Sequence, residues 1–239
     1  MWRKIILEKY KILHIVIYYV KRFLNMVSNN DLVEHLVYSN ALRSGNITEA
    51  FKKIDRVDFV LDPSGLDVYG DYPLPIGYGQ TISQPRTVAE MLEMLEPQKG
   101  QKILDIGTGS GWTTALLAFI VGDTGSVLGL ERVQGLVKFG NANLQKYKFK
   151  NAKIMQAGEK LGIAGEKFDR ILVSAAADKF PIELTEQLHV GGKLVIPVRN
   201  SIYEVTKKEG GKLHGVEHYG FTFVPLIFEH APNGLRKHR

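Results

Sequence analysis

The feature that most constrains this chain is a glycine-rich run, Gly107-Thr108-Gly109-Ser110-Gly111. It directly follows a short apolar run, Lys102–Ile106, and directly precedes an apolar stripe through Ala115, Leu116 and Phe119. A buried strand, a tight turn and a helix in that order form half of a β-α-β unit. Glycines at the turn let a ligand approach the main chain without a β-carbon in the way. The alternation continues downstream. Residues 126–130 read as a second strand and 133–147 as a helix, and 153–156 and 170–173 read as strands three and four. A helix near 182–188 then leads through Gly191-Gly192 to a fifth strand over 193–198. Such alternation predicts an α/β fold, a doubly wound and mostly parallel sheet with helices on both faces. After Pro197 the rhythm changes, and 203–206 and 220–226, flanking Gly210-Gly211, read as further strands. Upstream, residues 30–60 read as a helical segment in which Asp31 can cap the first helix.

In an open α/β sheet the ligand crevice lies outside the carboxyl ends of the strands, which here means at the glycine run. The dinucleotide fingerprint spaces its glycines G-x-G-x-x-G, whereas this chain has the tighter Gly107-x-Gly109-x-Gly111. Asp105, just upstream, would attract a ligand amine or sulfonium and repel a pyrophosphate. Glu131 ends the second strand, where a carboxylate can take both hydroxyls of a ribose. Together these residues point to an S-adenosylmethionine site, with S-adenosylhomocysteine as the product form.

Charge and composition narrow the partners. The net charge is +6, but residues 1–25 carry +5 and 231–239 carry +3, so the body from 26 to 230 is at −2. Basicity confined to the two ends argues against a phosphate-tracking face, and hence against a nucleic-acid partner. There are no cysteines, which removes disulfides, Cys-ligated metals and thiol nucleophiles and is compatible with a reducing, cytoplasmic setting. The seven histidines form no ligand-spaced cluster, so no metal is expected. Residues 1–25 read as a basic amphipathic extension, in which Ile6, Tyr10, Leu13, Ile17, Val20 and Leu24 would share one face of a helix. Its uncharged run falls well short of the roughly 20 residues a membrane span needs. A weak membrane or partner contact is one reading. The preferred one is a plain extension, or a start misplaced ahead of Met26. Residues 26–230 read as a single domain and 231–239 as a frayed basic tail.

Between the helical segment and the first parallel strand lies a Pro- and Gly-rich stretch, residues 61–84, of a length that compact domains reserve for binding loops. Its core, Tyr69-Gly70-Asp71-Tyr72-Pro73-Leu74-Pro75-Ile76-Gly77-Tyr78-Gly79-Gln80-Thr81-Ile82-Ser83-Gln84-Pro85, closely resembles the signature of the protein-L-isoaspartate O-methyltransferase family. The resemblance continues through the glycine run, Phe168-Asp169-Arg170-Ile171, residues 175–177, residues 191–198 and Phe223-Val224-Pro225-Leu226, covering about residues 30 to 228 in the family's order.

This resemblance implies a Rossmann-like methyltransferase fold and methyl transfer from S-adenosylmethionine to the free carboxylate of isoaspartyl residues in damaged proteins and peptides. Carried over by position, Ser83 matches the active-site hydroxyl. Thr81, Ile82 and Gln84 flank it in the cofactor and substrate cleft, and Asp71 lies in the loop that folds over the substrate. Plainer readings stand beside these: Ser83 as the cap of the helix starting near Arg86, Asp71 as a solvated turn carboxylate, and Trp112 as helix packing. The chain departs from the family at Glu159, where aspartate usually stands near the adenine, and at Trp112, where a smaller aromatic is frequent. Two competitors are weighed against it. An adenine-type amine methyltransferase lacks support, because Ser174-Ala175-Ala176-Ala177 offers no carbonyl-and-aromatic clamp. A non-catalytic S-adenosylmethionine-binding module recruited through the N-terminal helix is the other.

Overall fold

The computed structural model describes residues 26–227, so the expectations for residues 1–25 and 231–239 lie outside the described residues. The chain opens with two helices, α1 (Asn29–Tyr38) and α2 (Gly45–Lys53), and a 3-10 turn, Arg56–Phe59. Asp31 was expected to cap α1, but the cap is Ser28, whose hydroxyl accepts the Asp31 N–H at 3.2 Å. Asp31 reciprocates, taking the Ser28 hydroxyl at 2.7 Å. The Ser28 hydroxyl thus satisfies one orphan helix-start donor while the Asp31 carboxylate holds that hydroxyl and the Val27 N–H at 3.3 Å, which places the boundary three residues earlier than expected.

The long loop holds only a two-residue antiparallel ribbon, β1 (Leu74–Pro75) against β2 (Thr81–Ile82), before α3 (Pro85–Leu95). Then follow β3 (Lys102–Ile106), α4 (Trp112–Val121), β4 (Ser126–Glu131), α5 (Gln134–Lys146), β5 (Ala152–Gln156) and β6 (Phe168–Val173). The chain continues through the single turn α6 (Glu183–Glu186), β7 (Leu188–Val198), β8 (Ser201–Lys207) and β9 (Leu213–Tyr219). The sheet order is β5-β4-β3-β6-β7-β8-β9. Strands β3 to β7 pair in parallel, and β8 and β9 extend the sheet antiparallel. The expected doubly wound, mostly parallel sheet is therefore present. Alternate strand residues divide between two cores, one on each face. Ile103, Leu172 and Val195 pack with α1 to α4, while Leu104, Ile171, Val173, Leu194 and Ile196 pack with Leu161 and Leu184 on the other side. Continuous apolar strands follow from burial on both faces.

Two boundaries differ from expectation. The helix near 182–188 is one turn only, and strand pairing already begins at Leu188, with a register shift between Phe168 and Arg170 that absorbs the extra residues before Lys193. The last strand is Leu213–Tyr219, not 220–226. As a sheet edge β9 is mostly exposed, so it carries no hydrophobic alternation to betray it. Residues 220–227 instead cross the carboxyl ends of the strands. There the Ala176 N–H donates to Val224 O at 2.8 Å and the Leu226 N–H to Ala176 O at 2.7 Å. No helix among the described residues is long and apolar enough to cross a membrane.

Candidate active site

Strand order reverses direction beside β3, with β4 and β5 on one side and β6 and β7 on the other. A crevice opens at such a switch point because the connecting helices leave on opposite faces. A cavity of about 470 Å³ occupies this place. Its floor is the glycine run with Glu131, its sides are the 157–162 loop and Ser174-Ala175, and its roof is formed by 80–83 and 224–227.

Gly107, Gly109 and Gly111 all have positive φ. At Gly111, φ is +88° and an added Cβ would sit 2.9 Å from Ile154 Cδ1 and 3.3 Å from the Gly140 backbone. Glycine is required there on both counts. Glu131 closes the floor. Its Oε2 accepts the Gly109 N–H at 2.9 Å and its Oε1 accepts the Val133 N–H at 2.8 Å. The carboxylate thus locks the loop while lining the cavity.

Asp105 sits behind the glycine run, fully buried and outside the cavity lining. Thr113 and Thr114 hydroxyls each donate to its Oδ2 at 2.7 Å, and Oδ1 has no partner among the described residues. Burial pushes its pKa up from 3.8 to about 6; the threonine bonds oppose that rise and Glu131 adds to it. Its charge therefore acts through the loop rather than from the cavity wall.

Thr81, Ile82 and Ser83 line the same cavity as Gly107, Gly109, Glu131 and Glu159. Gln84 is the N-cap residue of α3 and makes no cap bond; its Oε1 accepts from Thr87 Oγ1 at 3.3 Å. Ser83 does not cap α3 either. The Arg86 N–H, the first donor available after Pro85, is taken by Asp71 Oδ1 at 2.8 Å. Asp71 also approaches Arg86 Nε at 3.7 Å and His35 Nε2 at 4.0 Å, and is absent from the cavity lining. A distant carboxylate does the capping, and Ser83 stays among the residues that line the cavity.

Other residues of the site were not named as candidates. Trp112 reads from the sequence as helix packing or as a departure that touches cofactor fit. It does pack, edge-on against Phe51 at 5.4 Å, but it also lines the cavity, as do Thr108 and Ser110. Trp112 Nε1, Thr108 Oγ1 and Ser110 Oγ are buried and unpartnered among the described residues. Residues 224–227, expected as a strand, supply roof. Arg56 gave no signal at all in the sequence. It is fully buried and donates to three carbonyls around the Ser83 loop. Among the described residues no group of His, Asp and Glu could hold a metal.

A cavity at the strand switch point with a glycine floor and a carboxylate ending the second strand fits S-adenosylmethionine. Comparison with known proteins agrees. The family model for protein-L-isoaspartate(D-aspartate) O-methyltransferase matches residues 27–231. A protein-L-isoaspartate O-methyltransferase from Thermococcus onnurineus is 43% identical over 206 residues, spanning 83% of this chain and 93% of that one. The enzyme of the same name from Methanopyrus kandleri is 41% identical over 204 residues, with 83% and 90% covered. A Plasmodium falciparum protein assigned to the same activity, crystallised with S-adenosyl-L-homocysteine, superposes with a TM-score of 0.74 at 27% identity, covering 84% of this chain and 98% of that one. The chain belongs to the protein-L-isoaspartate(D-aspartate) O-methyltransferase family.

Proposed function

We propose that this protein methylates the free carboxylate of L-isoaspartyl residues in damaged proteins and peptides, using S-adenosylmethionine. The observation that carries the reading is that Ser83 and the glycine run with Glu131 line one cavity. The donor floor and the acceptor segment therefore meet.

When bound, S-adenosylmethionine supplies an activated methyl group and its own leaving group. The chain's residues have a modest chemical task. The acceptor carboxylate is already ionised at neutral pH, so no general base is required. What remains is orientation and exclusion of water. The Ser83 hydroxyl, released from capping by Asp71, can donate one hydrogen bond to an acceptor carboxylate oxygen without adding a competing charge. Residues 224–227, joined to Ala176 by main-chain bonds, line the cleft and would limit water there. Thr81, Ile82, Gln84, Asp105 and Glu159 belong to the same reading as cofactor-side residues, and Asp71 as support for the substrate loop. Function in the cytoplasm is part of it and agrees with the cysteine-free composition.

A methanol-release assay on an isoaspartyl peptide tests the proposal, with calorimetry of S-adenosylhomocysteine alongside. Ser83→Ala should lower turnover by roughly 10- to 1000-fold while leaving product affinity within about threefold. Binding without turnover in the unaltered protein would instead identify a non-catalytic module.

A further inference from the structure

Arg56 presents an unusual arrangement. It follows α2 in a 3-10 turn, is fully buried, and has no carboxylate at hydrogen-bond distance among the described residues. Its Nε donates to Val68 O at 3.0 Å, its Nη2 to Tyr72 O at 3.1 Å and its Nη1 to Ser83 O at 2.8 Å. These three carbonyls stand near the beginning, in the middle and at the end of the loop carrying the acceptor segment. The other face of the guanidinium lies over the Trp112 ring, with Cζ 4.8 Å from its centroid. Trp112 immediately follows the glycine run and lines the cavity. One planar cation therefore touches both halves of the site. Burial weakens the guanidinium's hold on its proton, to about 9, with Asp71 opposing, so it stays cationic at neutral pH.

We propose that Arg56 is a positioning residue, a spacer that fixes the Ser83 segment at a set distance from the cofactor floor. The proposal rests on the methyl-transfer reading above and adds what holds that geometry. A buried cation met by carbonyls and a ring is costly where an apolar side chain would pack. The fork's shape is what repays it: three donors in one plane reach three separate loop carbonyls while the flat face stacks on an indole. Lysine keeps the charge but concentrates its donors on one nitrogen, and it has no plane to stack.

The test compares Arg56→Lys with the unaltered full chain by three measurements: turnover on an isoaspartyl peptide, S-adenosylhomocysteine affinity, and amide hydrogen exchange. Turnover should fall roughly 10- to 100-fold, because sub-ångström to ångström misplacement is costly in an in-line transfer. Product affinity should stay within about threefold. Exchange should accelerate in residues 69–84 and not in residues 103–121. Turnover and exchange like those of the unaltered chain would overturn the proposal. So would turnover and product affinity falling together, which would mark general structural support. If Arg56→Lys does not fold, Arg56→Gln, which removes the buried charge and keeps an amide donor, is judged by the same criteria. Should the unaltered protein leave the isoaspartyl peptide unmethylated, the functional reading falls. The exchange pattern then decides the spacer alone, with acceleration confined to 69–84 supporting it and any other pattern rejecting it.

Discussion

The floor and the roof of the cavity are built by different physics. The floor rises from β3 and β4, whose register is fixed at every residue by parallel pairing, and its loop is tied down by Glu131. The roof comes from 61–84 and 220–227, with only a two-residue ribbon and an isolated bridge at Ala176 as regular pairing. It is set by point contacts: Arg56, Asp71 and the Ala176 bridge. Ligand holding is distributed over a ladder, whereas the placement of the proposed acceptor segment depends on a few side chains. Damage to the floor's backbone geometry should therefore cost stability and cofactor binding together. Damage to the roof should cost turnover first.

The largest effect is expected at Gly111. Gly111→Ala places a β-carbon against Ile154 and the Gly140 backbone at a φ of +88°, a cost of about 2–4 kcal/mol. The melting temperature should fall by roughly 5–15 °C and S-adenosylhomocysteine binding should be lost, both readable in a single thermal-shift series.

Asp105→Asn should separate stability from binding. The folded pKa of about 6 lies above the ordinary 3.8. The residue's contribution is therefore fully present below the unfolded value and is lost as pH rises through about 6, where burying the charge costs up to about 3 kcal/mol. The variant should thus gain stability relative to the unaltered protein at about pH 7.5 and keep only about half of that advantage near pH 5, as melting curves at both would show. A cationic ligand amine favours the ionised carboxylate, so product affinity in the unaltered protein should weaken as pH drops through about 6, whereas the variant, weaker by about tenfold, should show no such slope.

On the roof, Asp71→Asn keeps an acceptor but loses the charge facing Arg56 and the α3 N-terminus. About 1 kcal/mol of stability should go, with turnover reduced more than product affinity. A reduction in affinity alone would place Asp71 with the floor. The smallest effect belongs to Gly135→Ala. Its β-carbon would fall 2.1 Å from Tyr78 Oη, but Tyr78 is an exposed ring that can swing away. Stability should change by less than about 0.5 kcal/mol. A large change in melting temperature would reveal that the roof is tied to α5 more firmly than the contact suggests.

The floor was legible in the sequence because it obeys periods. Apolar runs mark β3 to β7, and a glycine run between strand and helix marks the crevice. Ser83 was legible only through the resemblance of the surrounding segment, since a serine before proline reads equally well as a cap. The use of Asp71 as that cap was invisible, because the bond joins residues fifteen apart across an aperiodic loop. Arg56 was hidden for the same reason: its three acceptors are main-chain carbonyls, which every residue carries and no sequence displays. The last strand was misplaced because an exposed edge need not alternate.

The bridge at Ala176 has a consequence for synthesis. The roof residues 224–227 lie far downstream of the glycine run and Ser83, so a growing chain pairs its central strands before the cover exists. A ribosome-bound chain ending near β9 would possess a nucleotide cradle whose top lacks its 224–227 half. Nascent molecules should thus gain the ability to grip the methyl donor before they gain the ability to shield it.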